Sequence, residues 1–179
     1  TNLHRSPYNS RNHEYYSEDA VLTSGQAVAF ISGGKEYGVI IAPKHLAFND
    51  TEINRTGVSV FMTEQQAREN ELRGTQAAIE DAGALGVMTA FNRVGITAAN
   101  AHTGLLKNIL RGEWGFKGLE SQDFIMNPNY AVLKEYALNG GTMTTFTGEN
   151  TMAAVSEKFA YWTTENVGQD TELMSAIKQ

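Results

Sequence analysis

The stretch "LGVMTAFN", Leu85 to Asn92, is a short apolar run that ends in polar residues and lies between two stretches of helical period. The helical stretch before it starts at the capping-box pattern Thr63 to Gln66 and reaches about Ala82, where Gly83 ends it. Short apolar runs that alternate with helices are typical of parallel strands covered by helices. This stretch therefore predicts an α/β protein.

The same alternation extends in both directions along the chain. Upstream, "GVIIAPKH", Gly38 to His45, is apolar through Ala42 and β-branched at its centre, which predicts a strand buried on both faces. Downstream, "GLESQDF", Gly118 to Phe124, predicts another strand. The remaining predicted elements are a helix from Glu18 to Lys35 with Ser17 as N-cap, a helix from a Thr103 cap to Arg111, a helix opened by Pro128 and ending at Leu138, a last strand in "GTMTTF", Gly141 to Phe146, and C-terminal helices.

Two architectures accommodate such strand-helix units, an open doubly wound sheet and a closed barrel of eight units. The glycine patterns that bind phosphate in doubly wound nucleotide-binding sheets do not occur in the sequence. A complete barrel takes about 250 residues, whereas this chain has 179 residues and four to five predicted units. We therefore expect a single domain over residues 1–179 that is an incomplete parallel (β/α) barrel of the TIM type.

The composition argues against several classes of function. A net charge of −6 without a run of Lys or Arg argues against a nucleic-acid partner, because such a partner requires a positive surface. The chain contains no Cys, so it has neither disulfides nor thiolate metal sites. Its apolar runs are far shorter than the roughly 20 residues that cross a bilayer. We expect a soluble protein, cytoplasmic or secreted, without a membrane partner.

Polar side chains follow the predicted strands where each strand ends. Lys44 and His45 end one strand, Asp123 ends another, and Arg11 lies in the polar opening segment. The carboxyl ends of parallel strands meet at one rim, where the chemistry of such folds takes place. Each residue also has a structural interpretation, which is a turn or cap for Asp123, ion pairing for Lys44, a core position for His45 and solvation for Arg11. Together the four residues predict a binding site at the rim.

Four stretches carry a resemblance to a known family: "HRSPYNSRNHEYYSED", "IAPKHLAFNDTEINR", "VMTAFNRV", and "LLKNILRGEWGFKGL" followed closely by "QDF". In order and spacing they resemble the N-terminal barrel of glycoside hydrolase family 3, the β-glucosidase and β-xylosidase type, over about residues 3 to 140. The resemblance implies the latter half of that (β/α)8 barrel. It also implies a retaining, exo-acting hydrolase that removes non-reducing-end β-linked sugars from a carbohydrate substrate, with a β-glucoside expected, through a covalent intermediate on an aspartate.

The family motifs assign roles to individual positions of this sequence. The "SDW" motif of the family falls on "QDF", which implies that Asp123 is the nucleophile. No cofactor is implied, and the four His residues show no metal-ligand spacing. The residues that the resemblance assigns to sugar binding are Arg11 in "SRN", the pair Lys44 and His45, Arg55 after "EIN", and Met88 and Phe91 on the family's Met-x-x-Tyr. Cations beside the nucleophile would favour its ionised form.

The general acid/base, which a retaining glycosidase places about 5 to 5.5 Å from its nucleophile, is not identified in this chain. In the β-glucosidase branch of the family it usually comes from a second domain, which we expect this chain to lack together with the first half of the barrel. The segment "LAFNDTEINR" lacks the Asp-Ser-His signature of the hexosaminidase branch. We expect the chain alone to be inactive and to associate with a second copy or with the missing half of the barrel.

Phe91 stands where the family usually has a Tyr whose hydroxyl bonds the nucleophile. Losing one charge-assisted hydrogen bond to the nucleophile would slow the reaction by an amount equivalent to roughly 1.5 to 3 kcal/mol. This departure and the unidentified acid keep a second hypothesis open, a non-catalytic carbohydrate-binding module derived from the same barrel. A third hypothesis is an unrelated barrel enzyme that acts on an anionic substrate through Lys44 and Arg11.

Glu120 is an unexpected residue for a core strand. Strand alternation places Leu119, Ser121 and Asp123 on one face, directed into the barrel, and Glu120 on the face toward the helices. The family usually has an apolar residue at this position. A carboxyl group in the helix layer is unfavourable unless a cation or a hydroxyl reaches it.

Overall fold

The computed structural model describes residues 1–124, 133–145, 153 and 170–177. In these ranges the molecule is a mixed α/β structure with a parallel sheet and helices, as the sequence predicts. The strands are β1 Lys44–Leu46, β2 Ser59–Val60, β3 Gly86–Thr89, β4 Arg93–Val94, β5 Thr97–Ala98 and β6 Leu119–Gln122. The helices are α1 Ala20–Glu36, α2 Glu64–Gln66, α3 Arg73–Glu80, α4 Gly104–Glu113, α5 Leu133–Leu138 and α6 Thr171–Ile177, with α4 and the Ala67–Glu71 turn wound as π-helix.

The parallel sheet has the strand order β1-β3-β6, so Gly86–Thr89, within the stretch Leu85 to Asn92, forms its central strand. Met88 pairs with Ser121, and Thr89 pairs with Gln122. Ser121 also forms a single parallel bridge to Met143, which lies at the next position across the sheet. Among the described residues these strands form an open sheet rather than a closed barrel.

The two faces of this sheet differ in burial. Val87 and its partner Glu120 are fully buried on the face that packs against the helices. Leu119, on the other face, is 42% exposed, and Met143 is 43% exposed. Glu120 therefore faces the helix layer, as the alternation predicts. The main core lies between this face and α1, α3 and α4, and includes Ile31, Leu46, Ala78, Val87, Leu106 and Leu110.

The predicted strand from Gly38 to His45 is wrong over most of its length. The observed strand is only Lys44–Leu46, and Val39 and Ile40 are exposed instead of buried. The amide of Val39 donates to the carbonyl oxygen of Gly34, so it is used to close the end of α1. Pro43 has no amide hydrogen for a strand ladder.

The observed helix boundaries lie within two residues of the predicted ones, except that the helix predicted from Thr63 to Ala82 is divided into α2, the Ala67–Glu71 turn and α3. Two predicted caps differ. The N-cap of α1 is Asp19, whose carboxylate accepts from the Leu22 amide, while the predicted cap Ser17 accepts from the Asp19 amide. Thr63 caps α2 as predicted, and Gly83 ends the α3 segment with a φ of +64°. Thr103 has helical dihedral angles and does not cap α4. The His102 ring accepts from the Leu105 amide instead.

A second sheet, of order β2-β4-β5, was not predicted from the sequence. Its β4 and β5 strands form an antiparallel hairpin with Gly95 and Ile96 in the turn, and Gly95 has a φ of +59°. A glycine at this place in a two-residue hairpin turn is the sequence signal that could have identified it.

Three predictions lie wholly or partly outside the described residues: the Pro128 start of a helix, the Phe146 end of the last strand, and most of the C-terminal helices. The helix that was predicted to start at Pro128 ends at Leu138, as predicted. Within residues 1–124, 133–145, 153 and 170–177, no helix is both long and apolar enough to cross a membrane.

Candidate active site

Asp123 lies directly after β6, at the carboxyl end of the parallel sheet, and is buried. Its amide donates to the carbonyl oxygen of Thr89 at 3.1 Å, which extends the ladder between β6 and β3. Its Oδ1 accepts from the Phe124 amide at 2.8 Å. Its Oδ2 lies 3.4 Å from Nη1 of Arg55 and 3.5 Å from Nε2 of His45. Both carboxylate oxygens are thus held by fixed partners.

Burial raises the pKa of Asp123 above its ordinary value of 3.8. The Phe124 amide, Arg55, Arg11 and Lys44 each act in the opposite direction and favour the carboxylate. The expectation that the cations favour ionisation therefore holds for each contribution, but burial outweighs their sum. Asp123 is poised as a carboxylate that is less well solvated than an exposed one.

His45 is buried beside Asp123 and is neutral. Burial, followed by the charges of Arg11 and Lys44, lowers its pKa from 6.5 to about 2. The Asn49 side-chain nitrogen lies 3.3 Å from Nδ1 of the ring. Because an amide nitrogen can only donate, Nδ1 accepts and the ring proton is on Nε2. The Nε2–H group consequently faces the Asp123 carboxylate.

The cations of the site are linked by two carboxylates into a chain of alternating charge. Glu14 Oε2 lies 3.0 Å from Lys44 Nζ and 2.7 Å from Arg11 Nη2. Glu52 Oε2 lies 3.6 Å from Arg11 Nη1 and 3.4 Å from Arg55 Nη1. Arg55 then contacts Asp123. Arg55 and His45 thus reach Asp123 directly, whereas Arg11 and Lys44 are joined to it through Glu14, Glu52 and Arg55.

Sequence reasoning missed Glu14 and Glu52. Their signal is the three-residue spacing to Arg11 and Arg55, which allows a local ion pair in each segment. Hydrogen bonding to Arg11, the largest favourable contribution, lowers the pKa of Glu14 from 4.5 to about 2. Arg11 is therefore a bound side chain and not a solvated one. Lys44 combines its ion pair with a 42% exposed side chain that leaves it accessible to a ligand.

The two remaining predicted site residues line the same region. The Arg55 guanidinium lies 4.6 Å from the centroid of the buried Phe91 ring, a cation-π contact that orients it. Met88 pairs with Ser121, so it lies on the same sheet face as Asp123. Within the described ranges, no group of three or more His, Asp or Glu side chains could hold a metal ion.

The known proteins that resemble this chain in sequence and those that resemble it in structure are both beta-glucosidases. Residues 1–153 match the sequence profile described as "Glycosyl hydrolase family 3 N terminal domain". A beta-glucosidase of Rhizobium radiobacter is 40% identical over 123 residues, which is 69% of this chain and 15% of that protein. Beta-glucosidase B of Emericella nidulans is 41% identical over 122 residues, 68% of this chain and 14% of that protein.

Solved structures show the same relationship. Beta-glucosidase 3B from Thermotoga neapolitana, in complex with glucose, superposes with a TM-score of 0.82 at 29% identity, over 99% of this chain and 25% of that one. DesR, a beta-glucosidase from Streptomyces venezuelae in complex with D-glucose, gives a TM-score of 0.81 at 28% identity, over 98% of this chain and 23% of that one. The chain thus spans about a quarter or less of each relative.

Proposed function

The chain belongs to glycosyl hydrolase family 3, and from this premise we propose that it supplies the nucleophile and the sugar-binding side chains of a retaining, exo-acting β-glycosidase. Its substrate would carry a non-reducing-end β-linked sugar, with a β-glucoside favoured because the relatives are beta-glucosidases. The observation that carries the proposal is the buried Asp123 carboxylate at the carboxyl end of β6, with Arg55 and His45 directed at one of its oxygens.

In the proposed reaction an Asp123 carboxylate oxygen attacks the anomeric carbon, and the bond to the leaving-group oxygen breaks. The leaving group takes a proton from a general acid, which yields an ester between Asp123 and the sugar. A water molecule then attacks the anomeric carbon, gives its proton to the same group acting as base, and releases both sugar and carboxylate. Partial burial supports the first step, because a carboxylate that is already partly dehydrated loses little hydration when it attacks the sugar.

Neighbouring side chains would bind the hydroxyl groups of the sugar. Lys44 and Arg11 offer donors at the rim that holds Asp123, and His45, whose Nε2–H faces the Asp123 carboxylate, would meet a sugar hydroxyl that approaches this carboxylate. Hydrogen bonds to these hydroxyls strengthen as positive charge develops on the sugar ring, so they lower the barrier and not only the dissociation constant. Glu14 supports this role, because its contacts with Arg11 and Lys44 fix both cations before a ligand arrives.

The proton donor is not assigned to a described residue. Glu52 is the carboxylate closest to Asp123 along the charge chain, but Arg11 and Arg55 both face its Oε2. Two cations at one oxygen favour an acceptor and not an acid. We propose that the acid comes from another part of the natural protein, and that this chain alone does not turn over substrate.

The test is mechanism-based trapping on the naturally encoded protein. A 2-fluoro-β-glucoside should label it covalently, and proteolysis with mass spectrometry should place the sugar on Asp123. Asp123→Asn should abolish labelling, while Asp81→Asn, at an exposed carboxylate far along the chain, should leave it unchanged. A sugar attached to any other residue would overturn the assignment.

A carbohydrate-binding module is the second proposed function, and Phe91 at the family's Tyr position favours it. Calorimetric binding of glucose without any covalent label would support this alternative. The hypothesis of an anionic substrate is disfavoured, because the two cations that would recognise it, Lys44 and Arg11, are already paired with two carboxylates, Glu14 and Glu52.

A further inference from the structure

Glu120 is a fully buried acidic residue on the helix-facing side of β6, with 0% exposure. The hydroxyl of Thr89, on the neighbouring strand, donates to Glu120 Oε1 at 2.8 Å. The other carboxyl oxygen, Oε2, is buried without a hydrogen-bond partner. An ionised carboxylate with one bare oxygen in such a place is strongly disfavoured.

The backbone of Glu120 anchors the segment that follows α5. Its amide donates to Thr142 Oγ1 at 2.7 Å, and its carbonyl oxygen accepts from the Thr142 hydroxyl at 2.6 Å. The Tyr136 hydroxyl lies 3.1 Å from the same carbonyl oxygen and 2.8 Å from the Met143 carbonyl oxygen, so its one proton is shared between these two acceptors. Glu120 thus joins β3, α5 and the segment around Met143.

Thr89 connects this cluster to Asp123. Its side chain donates to the Glu120 carboxyl, and its carbonyl oxygen accepts from the Asp123 amide at 3.1 Å. One residue of the central strand therefore holds both the buried acid and the backbone of the proposed nucleophile. Because χ1 of a β-branched residue is restricted, holding the Thr89 hydroxyl also limits the movement of its backbone.

The charged and titratable groups that face Glu120, Arg111 and Tyr136, compensate a negative charge only in part, because each lowers its pKa but burial outweighs them. Arg111, on α4, donates to the carbonyl oxygens of Gly140, Phe116 and Gly118, so its hydrogen bonds are directed to the backbone. Tyr136, on α5, contributes a neutral hydroxyl. Burial raises the pKa of Glu120 from 4.5 to about 7, so the acid is neutral below that pH.

We propose that Glu120 is a positioning residue, whose buried neutral carboxyl group fixes Thr89 and through it the backbone of Asp123. The inference rests on the proposed function only in taking Asp123 as the nucleophile. Ionisation of Glu120 would bury a charge that Arg111 and Tyr136 offset only in part, and we expect the carboxylate to shift toward these groups and weaken the alignment of Asp123.

Three variants of the naturally encoded protein test the proposal: Glu120→Leu, Thr89→Val and Glu120→Gln. Labelling by the 2-fluoro-glycoside gives the dissociation constant and the rate of covalent attack separately. Glu120→Leu and Thr89→Val should slow the attack by tenfold or more at an unchanged dissociation constant. Glu120→Gln keeps an acceptor for Thr89 and should lose distinctly less. Glu36→Gln, at an exposed position, is the control and should match the wild type.

The pH profile separates positioning from simple structural support. The wild-type attack rate should decline as pH rises through about 7, and Glu120→Gln should lack this decline because an amide does not titrate. Wild-type attack rates in Glu120→Leu and Thr89→Val would overturn the proposal. If Glu120→Leu does not fold, Thr89→Val and the profile of Glu120→Gln decide.

Hydrogen exchange distinguishes failure of this inference from failure of the proposed function. The Asp123 amide should exchange faster in Thr89→Val than in the wild type, whether or not the protein forms a covalent intermediate. Unchanged exchange at this amide would overturn the positioning role. Absence of label on Asp123 in the wild type, with faster exchange in the variant, would overturn the proposed function and keep the link between Thr89 and Asp123.

Discussion

At the scale of single residues, the proposed nucleophile is governed by burial more than by neighbouring charge. Asp123 has Arg55 and the Phe124 amide beside it, yet its pKa is raised and not lowered. The sequence indicated which side chains would meet, because each follows a strand or lies in a family motif. It could not indicate the net direction of the pKa, which depends on how much water the folded chain excludes.

Phe91→Tyr should raise the rate of covalent labelling. The resemblance implies a hydroxyl at this position that donates to the nucleophile, and one hydrogen bond to a charged group contributes roughly 1.5 kcal/mol or more, which is about tenfold in rate. The acid limb of the pH-rate profile should also move to lower pH, because the new donor favours the carboxylate. Phe116→Tyr is a matched control, because that ring also lies under an arginine, 4.9 Å from the Arg111 guanidinium. Equal rates in both variants would contradict the prediction.

Glu71 should make the protein less stable as pH rises. Burial raises its pKa from 4.5 to about 7, although Arg5 lies 3.4 Å away. Between these two pH values the folded state holds a proton that the unfolded state has released, so the free energy of unfolding declines over this window. His45 acts in the opposite direction over part of it, because its pKa is lowered to about 2. The difference in the free energy of unfolding between wild type and Glu71→Gln therefore reports the titration of Glu71, because the contribution of His45 is present in both proteins.

The measurement is urea unfolding of wild type and Glu71→Gln from pH 4.5 to 8. Relative to the variant, the wild type should lose stability up to about pH 7 and then remain level. Glu80→Gln, at an exposed position on α3, should run parallel to the wild type. A pH-independent difference between wild type and Glu71→Gln would show that Glu71 titrates normally.

At the scale of elements, the sequence correctly predicted the two neighbouring strands β3 and β6 of the parallel sheet. Gly86–Thr89 and Leu119–Gln122 lie where expected and pair in register. The strand predicted from Gly38 failed because the Val39 amide closes the preceding helix, a contact that no apolar pattern records. The His102 cap of α4 was missed for a similar reason, since cap preferences favour Ser, Thr, Asp and Asn. Caps and strand starts thus depend on local backbone hydrogen bonds that an apolar pattern does not record.

Gly118→Ala and Gly33→Ala should have opposite effects on stability. A Cβ at Gly118 would clash with the backbone carbonyl of Leu85, which accepts a ladder bond from the Leu119 amide. We expect a loss of about 1 to 3 kcal/mol from the forced backbone shift. Gly33, within α1, has open space around it, so alanine there should add about 0.5 to 1 kcal/mol. Urea unfolding measures both, and a stable Gly118→Ala would contradict the close approach of β6 to Leu85.

At the scale of the whole molecule, the open face of the β1-β3-β6 sheet leaves apolar side chains exposed to solvent. Leu119 and Met143 are exposed there, on the face that a closed barrel would fill with side chains. The structural similarity to much larger beta-glucosidases is consistent with a surface that another part of a protein covers.

The 179-residue chain should associate in solution through this face. Sedimentation velocity over a range of concentrations should show a species larger than a monomer, and Leu119→Gln should shift it toward the monomer. Ile96→Gln, at an exposed hairpin turn, is the control for removing an exposed apolar side chain. A monomer at every concentration would count against association.

The chain of alternating charge has a further consequence for turnover. It contains three cations, Lys44, Arg11 and Arg55, and three carboxylates, Glu14, Glu52 and Asp123. In the proposed intermediate Asp123 is an ester and has no charge, so the site changes from neutral to net positive for the lifetime of the sugar ester. Small anionic nucleophiles such as azide should be attracted to this state and should accelerate its breakdown more than methanol does. High ionic strength should reduce that advantage by screening.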